Sequence, residues 1–404
     1  CSRVLVSLST RHNVLFKPYA DQFLKLIERQ VIDRNETVSS SYAASSGYVA
    51  RGASDKQILR LASFAKKLYF ESEGDREQAV PRQSIAAAEI MQAISKHAND
   101  RFNSLASDLL PFIFFGKHDS HDQVKEIFRN TWEDNVGGSR AISLYLKEIL
   151  LMAQEYMDSP QWVIKHTAAR SVADATTALA SMSSGFDTTT SHLIWPVLEK
   201  ALGGKTWDGK EAVLYAFAKF VEGTKEIYPA GDAVAKTFVK IILREAKRQN
   251  MTYRPHAMKG LGLVAASRED LDLFDAMCDL IKPVFADAVD TENEDNMDVD
   301  NGVGAGDKDS RESTIVNGVE ALYRPFDHPN ADWMTDQRLV ERRLERVVET
   351  LQILQPMRTE GHASLRRMME KAKTSLLACL QEKFGESDSG REWRRRVEAL
   401  QATT

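Results

Sequence analysis

The sequence of 404 residues predicts an all-α fold, an α-solenoid of eight or nine HEAT-like antiparallel helix pairs. Three observations predict it. Apolar residues recur with helical spacing along most of the chain, a helix rich in small residues recurs every 41 to 47 residues, and prolines interrupt short apolar runs. A sustained two-residue alternation of apolar and polar residues, which would indicate a half-buried strand, is missing from the sequence.

Helical periodicity is clearest in the segment 55–70. Its apolar residues follow the i, i+3, i+4, i+7 spacing that places them on one helix face. They are Ile58, Leu61, Ala62, Ala65, Leu68 and Tyr69. The segments 139–157 and 231–249 repeat this spacing, and each therefore predicts an amphipathic helix.

Between these amphipathic helices lies a second type of helix, rich in alanine, glycine and serine. Its centres are Ala44, Ala87, Phe128, Ala169, Ala216 and Gly260. The intervals between successive centres are 43, 41, 41, 47 and 44 residues, which is the period of HEAT or armadillo units. Small side chains let neighbouring helices approach closely, so these helices are expected to pack against one another.

Prolines mark the partner helices of the repeat. Pro18, Pro111, Pro196, Pro283 and Pro356 each follow several apolar residues. A proline inside a helix removes a backbone hydrogen bond and kinks the helix. The pattern predicts kinked partner helices, with the alternative that some of these prolines open a helix at its first turn.

Charge is concentrated in one segment. The net charge is −5, and residues 287–312 hold ten acidic and two basic side chains, so the rest of the chain is close to neutral. This predicts repeats over 1–286, an acidic disordered loop over 287–312, and C-terminal repeats with a cap over 313–404. The absence of a broad basic field argues against nucleic-acid binding. No apolar run in the sequence reaches the length of about 20 residues that membrane insertion needs.

Cysteine content and the first residue bear on the origin of the chain. Three cysteines, far apart in the sequence, favour reduced thiols and hence a cytoplasmic and nuclear protein. The chain begins with Cys1 rather than methionine, which predicts a piece of a longer protein.

Several short strings resemble catalytic motifs but lack a residue that the chemistry needs. The string 203–206 resembles the end of a phosphate-binding loop, yet Glu199 stands where a glycine is required. The string 260–265 matches a dinucleotide fingerprint inside a helical pattern, Ser139 is expected to cap a helix, and the HDSHD string 118–122 is expected to be a solvated turn. We therefore expect no catalytic residues, no cofactor and no metal.

Two charged groups are candidate partner contacts. The acidic candidates are Asp290, Glu292, Glu294, Asp295, Asp298 and Asp300. The basic candidates surround a tryptophan near the end of the chain and are Arg391, Trp393, Arg394, Arg395 and Arg396. Carboxylates can meet a basic partner surface, and arginine beside an aromatic ring can meet a carboxylate or phosphate. A solvated loop and a solvated helix face are the alternatives.

Four segments carry a resemblance to a known family: 40–70, 109–119, 127–152 and 205–223. Together they resemble the proteasome adaptor and scaffold family of very large HEAT-repeat proteins, in its C-terminal portion. The strings Trp132 to Asn135 and Trp207 to Glu211 are the most distinctive, because packing of a solenoid does not by itself require tryptophan there.

The resemblance implies a non-catalytic scaffold that binds the 26S proteasome through both its core particle and its regulatory particle. It further implies stabilisation or restraint of the holoenzyme in quality control, and contacts with vesicle or motor adaptors. The chain ends Gln401-Ala402-Thr403-Thr404, without the hydrophobic-tyrosine tail of many core-particle activators, which favours contact through the solenoid surface. The alternatives are another HEAT scaffold, such as a nuclear transport receptor or a phosphatase scaffolding subunit, and an enzyme with a site assembled across repeats.

Overall fold

Helices form almost all of the regular structure in the computed structural model. It describes residues 1–71, 74, 81–136, 138–295, 305–327, 332–357 and 362–400. Within these ranges the chain forms α-helices and short 3-10 turns and contains no β-strand. The predicted all-α fold is therefore confirmed.

The chain divides into two compact units. The first unit comprises Cys1–Gly185 and His192–Gly203, and the second comprises Phe186–Ser191 and Gly204–Thr404. The helices up to the division are α1 (Ser2–Arg11), α2 (Asn13–Phe16), α3 (Ala20–Gln30), α4 (Glu36–Ala50), α5 (Asp55–Phe70), α6 (Arg82–His97), α7 (Asn99–Ser104), α8 (Ala106–Gly116), α9 (Asp122–Asn135), α10 (Ser139–Leu144), α11 (Leu146–Tyr156), α12 (Trp162–Ala180) and α13 (Thr188–Ala201). Those after it are α14 (Lys210–Gly223), α15 (Ala233–Ala246), α16 (Arg254–Ser267), α17 (Phe274–Asp295), α18 (Ala305–Tyr323), α19 (Gln337–Gln352), α20 (Ala363–Phe384) and α21 (Asp388–Glu398).

In chain order the helices alternate between two sets, which we call A and B. The A helices are α3, α5, α8, α11, α13, α15, α17 and α19, and the B helices are α4, α6, α9, α12, α14, α16, α18 and α20. In the first unit α4 packs on α6 and α6 on α9, and in the second unit α14, α16, α18 and α20 pack in succession. Within the described residues, chain order thus gives eight successive A and B helices, with α1 and α2 before them, α21 after them, and the short helices α7 and α10 between them. This agrees with the prediction of eight or nine pairs.

The B helices pack closely because small residues face each other. A Cβ atom added at Gly47 of α4 would lie 1.9 Å from the carbonyl oxygen of Ala93 in α6, and one added at Gly262 of α16 would lie 2.8 Å from the Cα atom of Ala321 in α18. Ala87 is fully buried, as the repeat pattern predicts. Close approach of B helices is therefore confirmed at α4–α6 and at α16–α18.

In the contact between α8 and α9, the large residue lies on the B helix and the small residue lies on the A helix. The central residue of α9, Phe128, is fully buried, and the small residue lies on the partner helix α8. A Cβ atom added at Gly116 would lie 2.3 Å from the Phe128 ring. The prediction of small central residues is therefore wrong for α9, because Gly116 of α8 leaves the space that the Phe128 ring fills.

Buried hydroxyl groups in the B helices bond to their own backbone. Ser45 and Ser46 of α4 donate to the carbonyl oxygens of Tyr42 and Ala43 at 2.8 and 2.6 Å. Thr176 of α12 donates to a carbonyl oxygen one turn earlier at 2.8 Å. These bonds satisfy polar side chains inside the core, so small polar residues can replace alanine there at little cost.

The prolines of the A helices fall into two groups. Pro111, Pro196 and Pro283 lie inside α8, α13 and α17, as predicted. Pro18 lies in a short 3-10 turn just before α3, which matches the alternative of an opening proline. Pro356 follows the end of α19, so the prediction of a proline-kinked helix is wrong there.

The predicted acidic loop is shorter than its composition indicates. Helix α17 extends to Asp295 and α18 begins at Ala305, so the prediction of irregular structure is wrong for 287–295 and 305–312. Residues 287–295 contain no glycine or proline, and the Thr291 hydroxyl donates to the Asp287 carbonyl oxygen at 2.7 Å, so the helix continues despite its charge. Residues 296–304 lie outside the described residues, and the division of the chain at 286 and 313 stays a prediction.

Substitution of Gly47 by alanine tests the close contact between α4 and α6. We expect Gly47→Ala to lower the free energy of unfolding by about 3 kcal/mol, because the new methyl group meets backbone that cannot move aside alone. Gly231→Ala is the matched control, since nothing lies within 4 Å of a Cβ atom at Gly231. Urea denaturation followed by circular dichroism measures both. Equal stability of the two variants would contradict the close packing.

Candidate interaction surfaces and their supporting network

The distinctive tryptophan at 132 belongs to the core of the first unit. The Trp132 ring packs against Phe114 of α8 with 4.9 Å between ring centroids. The Lys117 Nζ atom lies 4.4 Å from the Phe114 centroid and 5.3 Å from the Trp132 centroid, and forms an ion pair of 2.8 Å with Asp174 of α12. The His118 Nε2 atom lies 3.2 Å from the same carboxylate. Trp132 therefore covers a charged contact that joins α8, α9 and α12.

Burial and pairing act in opposite directions on this carboxyl group. Burial alone would raise the pKa of Asp174, but the hydrogen bond and charge of His118 and the ion pair with Lys117 hold that pKa well below its usual range. Burial lowers the pKa of His118. Asp174 is therefore ionised at neutral pH and holds the side chains of Lys117 and His118, the two residues that directly follow α8.

The last residue of the same string, Asn135, links α9 to α6. Its side-chain amide donates to Ser95 Oγ and to the carbonyl oxygen of Thr131, both at 2.6 Å. A hydrogen bond between successive B helices fixes their position along each other. The first distinctive string thus has a structural role in the described chain.

The second distinctive string places a lysine inside the second unit. Lys210 begins α14 and pairs with Glu245 of α15 at 3.1 Å, and both side chains are completely buried. Arg248 donates to Glu245 at 2.7 Å, and the Tyr253 hydroxyl donates to the same carboxylate at 3.0 Å. Arg248 and Lys210 also donate to the carbonyl oxygen of Gly204. This network ties the loop before α14 to the end of α15 and the start of α16.

The pKa values of Glu245 and Lys210 are both lowered, but for different reasons. Burial alone would raise the pKa of Glu245, but the hydrogen bond from Arg248 and the charge of Lys210 outweigh it, so the pKa is lowered. Burial lowers the pKa of Lys210, and its attraction to Glu245 offsets only part of this effect. The physical reason is that one carboxylate is shared among several cations, so the carboxylate gains more from the contact than each cation does.

The string 118–122 is more ordered than its composition predicts. Asp119 is 2% exposed, accepts a hydrogen bond from the Tyr69 hydroxyl, and accepts another from the His121 backbone N–H at 2.8 Å. The expectation of a solvated turn is therefore wrong for Asp119. The signal available in the sequence was an aspartate two residues before the helix-starting histidine, a spacing typical of an Asx turn.

The remaining motif-like strings have structural positions. The string 203–206 is irregular chain between α13 and α14, and 260–265 lies within α16, as predicted. Ser139 is not the cap of α10, because Gly138 with φ of 71° occupies the capping position and Ser139 is the first helical residue.

In the described ranges no group of three His, Cys, Asp or Glu side chains is placed to hold a metal ion. Of the helices described, none is both long enough and apolar enough to cross a membrane.

The acidic candidates divide between a helix end and residues outside the described ranges. Asp290 is exposed near the end of α17, while Glu292 on the same helix lies 3.8 Å from His362. Glu312 of α18 lies 3.4 Å from the other ring nitrogen of His362. Glu294 and Asp295 are in the last turn of α17, and Asp298 and Asp300 lie outside the described residues. His362 therefore joins the two helices that flank the acidic segment.

Arg394 of the basic candidates is engaged within the chain. Its guanidinium group donates to the side-chain oxygen of Gln381 at 2.8 Å and to the carbonyl oxygen of Gly385 at 3.2 Å. Both acceptors belong to the end of α20 and the turn that follows. Arg394 therefore fixes α21 on α20.

The other basic candidates lie on the outer part of α21. Arg391 pairs with Asp388, and the Arg396 guanidinium lies 4.2 Å from the centroid of the Trp393 ring. Arg395 is exposed. The structure brings this group together on one helix, far in sequence from the acidic candidates, and its use as a partner contact stays a prediction.

Comparison with known proteins identifies the family. A model described as "ECM29, C-terminal ARM-like repeats" matches residues 221–403, and one described as "Proteasome adapter and scaffold protein ECM29, HEAT-repeat domain" matches residues 1–70. Both models describe the same family, and together they match more than half of the chain.

Individual relatives agree with the family models. "Proteasome component ecm29" of Schizosaccharomyces pombe is 27% identical over 276 residues, covering 68% of this chain and 16% of that protein. "Proteasome adapter and scaffold protein ECM29" of Homo sapiens is 26% identical over 281 residues, covering 67% of this chain and 15% of that protein. The match thus spans less than one fifth of the length of these relatives.

Removal of the buried lysine tests whether the second distinctive string is structural. We expect Lys210→Met to lower the free energy of unfolding by about 3 kcal/mol, because it leaves the Glu245 carboxylate buried with one cation fewer. Lys205→Met, at an exposed lysine in the preceding loop, is the control and should change stability by less than about 0.5 kcal/mol. Thermal and urea denaturation measure both variants. A Lys210→Met variant as stable as the control would show that the ion pair contributes nothing to folding.

Proposed function

The chain belongs to the ECM29 family of proteasome adapter and scaffold proteins, and on that premise we propose that it is part of a non-catalytic scaffold that binds the 26S proteasome. The scaffold bridges the core and regulatory particles and stabilises or restrains the holoenzyme in quality control. Family membership is the observation that carries this proposal. The names of the relatives from Schizosaccharomyces pombe and Homo sapiens both refer to the proteasome, which supports it.

The chemistry of the buried charges supports a scaffold rather than an enzyme. Perturbed pKa values often mark catalytic groups. In this chain the carboxyl groups of Asp174 and Glu245, whose pKa values are lowered, are held by ion pairs between helices. They are accounted for by packing between helices, so they do not argue for a catalytic centre.

Other functions considered from the sequence are not carried forward. A nuclear transport receptor or a phosphatase scaffolding subunit shares the repeat period but has no observation in its favour beyond that period. Vesicle and motor adaptors as partners are likewise not part of the proposal. We also propose a cytoplasmic and nuclear location, on the basis of the cysteine content of the chain and of the 26S proteasome as its proposed partner.

Binding to purified proteasome tests the proposal directly. We expect the tagged 404-residue chain on a resin to retain the intact 26S proteasome better than either the core particle or the regulatory particle alone, because a bridging scaffold contacts both. Native gel electrophoresis after removal of ATP should show more intact holoenzyme when the chain is present. Retention no higher than on bare resin would refute proteasome binding by this chain. Equal retention of one particle and the holoenzyme would refute bridging.

The acidic segment is assigned to partner contact within this proposal. The sequence 287–312 holds ten acidic and two basic residues, so a basic surface on the partner would relieve the mutual repulsion of the carboxylates. Attraction between exposed charges is screened beyond about 8 Å at physiological ionic strength, so this contact should be sensitive to salt.

Neutralisation of the acidic segment tests this contact. The variant carries Asp290→Asn, Glu294→Gln, Asp295→Asn, Asp298→Asn and Asp300→Asn, and keeps Glu292 and Glu312 because they contact His362. We expect proteasome retention to fall several-fold at low salt, a difference that disappears at high salt. The control neutralises five exposed carboxylates elsewhere, namely Glu36, Glu133, Asp134, Glu226 and Glu345. An equal fall in both variants would show a general charge effect and contradict a specific contact.

A further inference from the structure

Three helices of the second unit meet at one histidine. His362 directly precedes α20. Its Nδ1 atom lies 3.4 Å from the carboxylate of Glu312 in α18, and its Nε2 atom lies 3.8 Å from the carboxylate of Glu292 in α17. The three side chains are between 21% and 31% exposed, and we call them the His362 cluster.

A neutral imidazole ring cannot serve both carboxylates. It has one N–H donor and one nitrogen lone pair, so the nitrogen without a hydrogen faces a carboxylate that also offers only lone pairs. A protonated ring donates from both nitrogens. Both distances lie within ion-pair range but exceed a normal hydrogen bond, which leaves room for the carboxylates to approach once the ring is charged.

The sign of the interaction within the His362 cluster depends on the proton. With a neutral ring, Glu292 and Glu312 are like charges on two helices that pack together, and they repel each other. With a charged ring, one cation lies between the two carboxylates and attracts both. A single exposed ion pair contributes little to stability, but here one proton replaces a repulsion by two attractions.

Other charged residues near the cluster do not replace the proton. The basic residues within one helical turn of it along the sequence are Lys308, Arg311, Arg358 and Arg366. Arg358 lies outside the described residues, and within the described chain the other three form no ion pair. The acidic residues at the same distance in the sequence are Asp290, Glu294, Asp295, Asp309 and Glu360, so the balance of charge favours uptake of a proton.

The start of α20 opposes this uptake. The first turn of a helix carries a partial positive charge, and His362 is the residue just before that turn. The partial charge equals about half an elementary charge, whereas each carboxylate carries a full one. The two carboxylates of the cluster therefore outweigh the helix end.

We propose that the His362 cluster is a pH-sensitive contact that fastens α17 and α18 to the start of α20 in mildly acidic solution. Histidine is the side chain that changes charge between about pH 5 and pH 8. The charged ring gains its partners only in the folded chain, so the stabilisation is present at the acidic end of this range and is lost as the pH rises. In more acidic solution glutamate side chains take up protons, and the contact is lost again.

The inference adds regulation by pH to the second unit. Both carboxylates belong to the sequence 287–312, so a charged His362 cancels part of the negative charge that we assign to partner contact. This consequence rests on the proposed function, whereas the contact itself can be tested without any proteasome.

Thermal unfolding of the 404-residue chain at pH 5.5 and pH 7.5, followed by circular dichroism at constant salt, tests the contact. His362→Gln keeps hydrogen-bonding groups but cannot take up a proton. We expect it to lower Tm by about 3 °C at pH 5.5 and by less than about 1 °C at pH 7.5. In a chain that already carries Glu292→Gln and Glu312→Gln, it should change Tm by less than about 1 °C at both pH values, because no carboxylate remains to attract the ring.

Two further variants locate the effect. His256→Gln is the matched control, because His256 is an exposed histidine on α16 of the same unit, and its effect on Tm should be the same at both pH values. His362→Arg places a cation that stays charged at both pH values between the same carboxylates. We expect it to have a higher Tm than His362→Gln at pH 7.5, by about 3 °C. The side chains of the cluster are partly exposed, so each variant should fold, and the circular dichroism spectrum checks this.

Four results would overturn the inference. They are an equal loss of Tm in His362→Gln at both pH values, the same loss in the chain without the two carboxylates, an equally pH-dependent loss in His256→Gln, and a His362→Arg variant no more stable than His362→Gln at pH 7.5. Each would leave the scaffold function untouched, since no proteasome takes part. A chain that passes these tests but retains no proteasome would keep the pH-sensitive contact and lose the scaffold function.

Discussion

The close approach of neighbouring B helices is the constraint on which the rest of the fold depends. The backbone of α6 at Ala93 occupies the place where a side chain at position 47 of α4 would stand. Helices this close bury little apolar area per small residue, so the A helices have to supply the large side chains. In the first unit Phe112 and Phe115 of α8 do so, packing around Tyr69 of α5 with ring centroids 5.4 and 6.2 Å away. Small residues on B helices such as α4 and α6, beside aromatic residues on A helices such as α8, therefore meet one steric requirement, whereas the B helices α9 and α14 bury Phe128, Phe217 and Phe220.

Buried charges connect helices where apolar packing alone would leave their relative position undefined. Lys210 and Glu245, both completely buried, form such a pair in the second unit, whereas the Lys117–Asp174 pair of the first unit is partly exposed. A buried pair gains little net stability over an apolar pair of the same shape, but separating its partners is costly, so it opposes sliding of one helix along another. Among the charged residues of the two distinctive strings, Lys210 forms such a buried pair, whereas Glu133 and Asp134 are exposed and the first string links helices through the neutral Asn135.

Local patterns were predicted from sequence more reliably than pairings between helices. The repeat centres and the prolines at 111, 196 and 283 were predicted correctly, because spacing and ring geometry act within one helix. The contact of Lys210 with Glu245 could not be predicted, since it depends on how the start of α14 meets the end of α15. The end of α17 was missed because charge density favours disorder in a free segment, whereas this one continues a helix whose earlier turns are buried.

The distribution of unsatisfied charge distinguishes the inside of the stack from its edges. Inside, carboxylates such as Glu245 and Asp119 already have partners, and contact with another protein would have to break those bonds. At helix ends, Arg51 and Lys96 keep free donors because a helix terminus attracts a cation without saturating it. Helices α4 and α6 are parallel, because Ser40 contacts Glu89 and Tyr48 stacks on His97, so the carboxyl ends of these two helices lie at one edge. The charge at such an edge can change without disturbing the buried contacts between the two helices, because the residues that carry it are exposed.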